Sequence, residues 1–109
     1  MSATANQKLD LSGYDRLLEH RSRFAICALL AREAAISFRD LKQLLKESDG
    51  NLGAQLRKLE DAGYTKVKKS FQHRRPVSNY SLTRKGNAAL ARHLSTIYRL
   101  TEDFKHETR

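Results

Sequence analysis

The sequence predicts an α+β fold, mostly helical with one small β-hairpin. Three observations predict it. Apolar residues recur at helical spacing through the first sixty residues and again at the C-terminus, whereas residues 64–82 shift to the two-residue period of strands. Turn residues separate these segments: Ser48-Asp49-Gly50, Gly63 and Gln72-His73-Arg74-Arg75-Pro76. The length of 109 residues, 39% of them hydrophobic, suits one domain with a modest core.

Leu9, Leu11, Tyr14, Leu17 and Leu18 form a short apolar pattern in which Ser12 and Asp15 supply a capping pair. Residues 1–12 are expected to be a partly flexible N-terminal segment, and residues 13–109 a single domain. Ser22 is placed to cap the next helix, whose Phe24, Ile26, Cys27, Leu29 and Leu30 give it a face broad enough to lie at the centre. Ala34-Ala35-Ile36 reads as a connector or a small strand. Ser37-Phe38-Arg39-Asp40 then opens a helix through Leu41, Leu44 and Leu45 that should stop near Glu47.

Asp49 is the expected cap of a third helix over residues 50–62. Leu52, Leu56 and Leu59 follow at i, i+4 and i+7 and face the core. At about 100° per residue, Asn51, Gly53, Ala54, Arg57 and Lys58 fall largely on the opposite side, with Gln55 at the flank. Gly63 stands where a left-handed terminator belongs. Strands over Tyr64 to Phe71 and Val77 to Leu82 flank a basic tip, whose Pro76 is expected to discourage further pairing. Thr83 caps a last helix, about residues 83–106, in which Leu90, Leu94, Ile97, Thr101 and Phe104 repeat at 4-3-4-3 spacing. That stripe is longer than one hairpin needs to cover it, which favours a dimer seam.

Charge is distributed unevenly. The formal net charge is +9, yet residues 62–101 hold no Asp or Glu while carrying Lys66, Lys68, Lys69, Arg74, Arg75, Arg84, Lys85, Arg92 and Arg99. The rest of the chain carries twelve basic and twelve acidic side chains, so the whole excess comes from that one segment. A face kept merely for solubility mixes both signs; an unmixed one is the footprint expected for a polyanion.

Other classes find little support. Cys27 is the only cysteine, which rules out an internal disulfide, and it reads as core filler. His20, His73, His93 and His106 share no metal-ligand spacing. No nucleophile-base arrangement, phosphate-cradling glycine loop or apolar carboxylate pair points to an enzyme or a cofactor. Residues 1–8 lack the apolar run of a signal peptide, and no stretch approaches the roughly 18 apolar residues of a membrane span. A cytoplasmic, nucleoid-associated location is the expectation, with no membrane partner.

Two helices joined by a tight turn, a basic hairpin and a C-terminal helix make the winged helix-turn-helix plan. In order along the chain, Ser37 to Leu45, Ser48-Asp49-Gly50-Asn51-Leu52 and Leu56-Arg57-Lys58-Leu59-Glu60-Asp61-Ala62-Gly63-Tyr64 resemble winged-helix regulators related to the MarR and ArsR groups. Tyr80-Ser81-Leu82-Thr83-Arg84-Lys85-Gly86 is similar to their strand-to-helix junction. The resemblance implies a homodimer that binds double-stranded DNA. The helix at 50–62 would lie in the major groove, presenting Asn51, Gly53, Ala54, Gln55, Arg57 and Lys58. Gly53 and Ala54 would allow close approach or meet a thymine methyl, and Arg57 would meet a phosphate or pair with Glu60 or Asp61. The wing, about residues 64–82, would bring Lys66, Lys68, Lys69, His73, Arg74 and Arg75 to the backbone or minor groove. Ser37 and Arg39 would touch the backbone, and Leu90, Leu94, Ile97 and Phe104 would form the dimer interface. The paired metal-sensing cysteines of the ArsR group are lacking, and an effector ligand is left open. The rival expectation is a winged-helix module for RNA or an acidic protein.

Overall fold

The computed structural model describes residues 9–107, with side chains through Glu102. A 3-10 turn at Arg16–Glu19 precedes α1 (Arg21–Leu30), followed by β1 (Ile36–Ser37), α2 (Phe38–Leu45), α3 (Asp49–Asp61), β2 (Thr65–Gln72), β3 (Arg75–Leu82) and α4 (Arg84–Glu107). The strands form one antiparallel sheet in the order β1-β3-β2, with β1 short and paired through Ile36 to Tyr80 and Ser37 to Asn79. Residues 1–8 of the expected N-terminal segment, and the side chain of Phe104, lie outside the described residues.

Helix starts follow local hydrogen-bonding chemistry, with three departures from expectation, the first being that Asp15 rather than Ser12 is the cap of the opening turn. Asp15 caps the 3-10 turn by accepting from the Leu17 N–H, and Ser37 caps α2 by accepting from Asp40. His20, rather than Ser22, caps α1: its Nδ1 accepts from the Ser22 N–H, which leaves the Ser22 hydroxyl to donate to Glu47. Ser48, rather than Asp49, caps α3, accepting from the Asn51 N–H at 3.1 Å. Asp49 is displaced one place into the first turn, where a carboxylate favours the positive end of the helix dipole.

Leu18, Ile26, Leu41, Leu52, Leu56 and Leu59 are fully buried and, with Ile36 and Tyr80 of the sheet and Ala89 of α4, form one core. Leu90, expected at a dimer interface, is buried in this same cluster and belongs to the core of the chain itself. The N-terminal segment docks on α4 through polar contacts that no apolar pattern signals. His93 is buried, accepts from the Asp15 N–H at 2.9 Å, and lies against the rings of Tyr14 and Phe24. Thr96 donates to the Ser12 carbonyl.

Gly63 adopts φ +81° after α3, turning the chain into β2. Thr83 caps α4, accepting from the Gly86 N–H at 3.0 Å. The strands run further than expected: Gln72 pairs with Arg75 and Phe71 with Pro76. In a two-residue hairpin the pair next to the turn exchanges hydrogen bonds and the following pair does not. Proline opposite Phe71 therefore removes no ladder bond.

Burial and the hydrogen bond to Asp15 push the Tyr64 phenol up to about 12, and burial pushes the Cys27 thiol up to about 12. Both shifts favour the protonated form in the folded state. Their stabilisation is complete below the ordinary values of 9.0 for Cys27 and 10.0 for Tyr64, and is lost as pH rises toward 12. The melting temperature should therefore decline from about pH 9 upward. In a pH series, Cys27→Ala should delay the onset and Tyr64→Phe should flatten the part above pH 10.

Candidate nucleic-acid interface

The turn between α2 and α3 is held at both ends. Lys46 ends α2 in the left-handed conformation at φ 55°, and the Lys42 ammonium meets the Asp49 carboxylate at 2.8 Å. Asn51, Ala54, Arg57 and Lys58 are exposed along α3, and Gly53 is half-exposed. A Cβ built on Gly50 or Gly53 would meet nothing within 4 Å, so packing within the protein does not demand glycine at either place. Among the described residues, Arg57 forms no ion pair with Glu60 or Asp61.

Gln55 departs from the flanking position expected of it. It is only 7% exposed. Its Oε1 accepts from the Arg23 guanidinium at 2.7 Å, and its Nε2 donates to Asn51 Oδ1 at 3.2 Å. Arg23 is itself fixed by donating through Nε to the Leu17 carbonyl at 2.6 Å. Asn51 Nδ2 donates to Glu47, which also accepts from Ser22. Those two donors hold the Glu47 carboxyl below its ordinary range. Sequence reasoning missed Arg23, because the spacing of 32 residues between Arg23 and Gln55 follows no local period, and it missed Glu47, which was read only as the end of the preceding helix.

The wing turns on two residues, His73 and Arg74, both in the left-handed region at φ 52° and 66°. That is the geometry of a type I′ turn, which favours Asn-Gly. Histidine tolerates this region better than most residues and arginine does not, and left-handed non-glycine residues are a recurrent mark of functional tips. Replacing the pair with Asn-Gly should stabilise the fold by about 1 kcal/mol while weakening polyanion binding. Thermal melting and a binding titration on the same variant check both halves; a variant that is more stable and binds as well as wild type would remove the tip from the interface.

Strand register sorts the wing side chains. Val67 pairs with Tyr80 on the inner face, which continues outward through Lys69 opposite Ser78 and Phe71 opposite Pro76. Lys66, Lys68 and Arg75 take the outer face. All six basic wing residues (Lys66, Lys68, Lys69, His73, Arg74 and Arg75) are exposed, and among the described residues none forms an ion pair. Phe71 is 77% exposed, a large apolar ring beside a cationic tip that sequence reasoning left unassigned. Between the wing and the start of α2 runs a cleft lined by Ser37, Arg39, Gln43, Phe71, Ser78 and Asn79. It places Ser37 and Arg39 across from the wing rather than on the far side of the domain.

On α4, Leu94 is 44% exposed and Ile97 half-buried. Leu9 and Leu11 are exposed on the segment whose Asp10 and Ser12 carbonyls accept from Arg99 and Thr96. Among the described residues no group of three His, Cys, Asp or Glu side chains could hold a metal ion, and no helix is long and apolar enough to cross a membrane.

A helix-turn-helix backed by a three-stranded sheet, two of whose strands project as a cationic hairpin, defines a winged helix-turn-helix protein. The profile of winged helix DNA-binding domains matches residues 22–101, and the chain belongs to that family. It is 34% identical over 83 residues to the uncharacterized protein MJ0432 of Methanocaldococcus jannaschii, spanning 76% of this chain and 90% of that one. A transcriptional regulator homologue from Pyrococcus horikoshii OT3 shares the fold with a TM-score of 0.77 at 24% identity, over 83% of this chain and 89% of that chain. MarR does so with a TM-score of 0.67 at 23% identity, over 83% and 69%. Lactococcus lactis ZitR in complex with DNA gives 0.60 at 21%, over 79% and 57%. The resemblance to MarR-type transcriptional regulators therefore holds at the level of the fold.

Proposed function

We propose that the protein is a sequence-specific regulator of transcription that binds double-stranded DNA as a homodimer, within the cytoplasm and on the nucleoid. The observation that carries this reading is the wing: exposed cations on an acid-free hairpin, none paired with a carboxylate among the described residues. Cations left unpaired are available to displace counterions from phosphates. In this reading α3 enters the major groove, about 12 Å wide, through Asn51, Gly53, Ala54, Arg57 and Lys58. The wing reaches the neighbouring backbone or minor groove, and Ser37 and Arg39 contact the strand that lies along the cleft.

The dimer seam would comprise Leu94 and Ile97, extended by Leu9 and Leu11, with Phe104 continuing the stripe. Leu90 supports it only from beneath. Among the described residues no set marks an effector pocket, and no enzymatic reaction is proposed.

A salt titration of duplex binding tests the reading. A protein making several phosphate contacts should lose orders of magnitude in affinity over a few-fold rise in salt. Failure to bind any duplex at low salt would overturn it in favour of an RNA or acidic-protein partner. Selection of duplexes from a random pool would then give half-site spacing, and with it the dimer geometry.

A further inference from the structure

The side chains beneath the start of α3 form one hydrogen-bonded chain running Arg23 to Gln55 to Asn51 to Glu47. Its ends differ in kind. A guanidinium has donors only, and a carboxylate has acceptors only. Gln55 must therefore turn its oxygen to Arg23 and its nitrogen to Asn51. Asn51 must in turn present its oxygen to Gln55 and its nitrogen to Glu47. Two amides that could each sit either way round are thus set in one orientation by the chemistry of the residues at the ends. Glu47 is secured further by the Ser22 hydroxyl, and Arg23 by the Leu17 carbonyl.

The chain uses one of the two Asn51 amide hydrogens and one of the two lone pairs on its oxygen. One donor and one acceptor remain, on an exposed side chain in the first turn of the helix. In the major groove, adenine alone offers a donor beside an acceptor, at N6 and N7; guanine shows two acceptors, cytosine a lone donor and thymine a lone acceptor. We infer that Asn51 reads one adenine per half-site through this remaining pair, and that Gln55, Glu47 and Arg23 are positioning residues for it. The inference rests on the duplex-binding reading above and deepens it. It also reassigns Gln55, which has one hydrogen left and is buried, from a base-reading residue to a support.

The test is selection from a random duplex pool, followed by affinity measurement on the selected site and on its single-base variants. Wild type should require adenine at one position of each half-site. Asn51→Ala should lose about ten- to a hundredfold of that discrimination, with preferences at other positions kept. Glu47→Ala should erode the same preference by freeing the amide to turn, and Glu47→Gln, whose amide donates as well as accepts and so no longer sets the orientation from this end, should restore it only in part. In the Asn51→Ala background Glu47→Ala should change the preference no further, a result that a merely structural role for Glu47 would not produce. Melting of each variant alongside shows that the domain is folded. Duplex binding with the adenine preference intact in Asn51→Ala, or with guanine preferred there in wild type, overturns this inference alone. A wild-type chain that holds no duplex at low salt overturns the parent reading and this inference with it.

Discussion

Replacing Gly86 by alanine should lower stability by about 3 kcal/mol or more, a cost at the upper end for inserting a methyl group into a packed site. A Cβ at this position would stand 2.2 Å from the Tyr64 carbonyl oxygen and 2.9 Å from both the Tyr64 carbonyl carbon and Leu82 Cδ1. The first obstacle is backbone, and it cannot swing aside. Tyr64 O is already held by the Thr83 N–H at 2.9 Å, and the Thr83 hydroxyl lies 2.6 Å from the Gly63 carbonyl. The first turn of α4 is thereby pinned to the chain leaving α3, with only a hydrogen's width between them at Gly86. For a domain of this size the loss should appear as a fall in melting temperature of roughly 10 °C or more. Gly53→Ala supplies the opposite sign. Its Cβ would meet nothing, and alanine improves on glycine in a helix by about 1 kcal/mol, so this variant should melt higher. A Gly86→Ala protein as stable as wild type would mean that α4 can shift away from Tyr64 without loss.

That contact also explains why the junction was legible as a motif. In Tyr80-Ser81-Leu82-Thr83-Arg84-Lys85-Gly86, Tyr80 and Leu82 point to the core side of the sheet. Thr83 caps the helix, and Gly86 permits the approach. Each residue type is demanded by something local, and local demands are what a sequence displays. The same holds for α2 and α3, whose Leu41, Leu52, Leu56 and Leu59 are drawn into one core while Leu44 stays exposed, and for Gly63 at its positive φ.

What sequence reading missed depended on contacts between distant residues or on exceptions to a propensity. Gln55 lies at the flank of its helical wheel, and only Arg23, brought alongside by the crossing of α1 and α3, turns it inward. Leu90 and Leu94 belong to one stripe by spacing. Past Leu90 the buried face of α4 is carried by His93 and Thr96, which meet the N-terminal segment, so Leu90 is buried and Leu94 exposed. His93 gives no apolar signal, yet it is buried because the backbone N–H of Asp15 supplies its partner. At the wing, His73 and Arg74 occupy a turn that favours Asn-Gly, so the strands appeared to end early. Phe71 was passed over as a strand residue because its exposure depends on how far the wing projects beyond the core.

Arg74→Ala/Arg75→Ala should weaken binding to every duplex, without regard to sequence, and lower the slope of log affinity against log salt by about 2. Both side chains are exposed, and neither forms an ion pair among the described residues, so their loss removes charge without opening the core. Each phosphate contact contributes about 0.9 to the slope. Carried from 1 M to 0.1 M salt, two contacts correspond to roughly fiftyfold in affinity. This is comparable in size to the loss of one base contact, but it differs in kind. The wing variant should keep the base preferences of wild type, whereas Asn51→Ala should keep its salt slope and lose a base preference. Arg74 also sits at a left-handed φ, where alanine is no better accommodated than arginine, so the turn should persist and melting should change little. Fluorescence anisotropy with a labelled duplex across a salt series separates the two effects in a single experiment. An unchanged slope in the wing variant would place the polyanion elsewhere on the acid-free segment, with Arg84, Lys85 and Arg92 on α4 the next cations to replace.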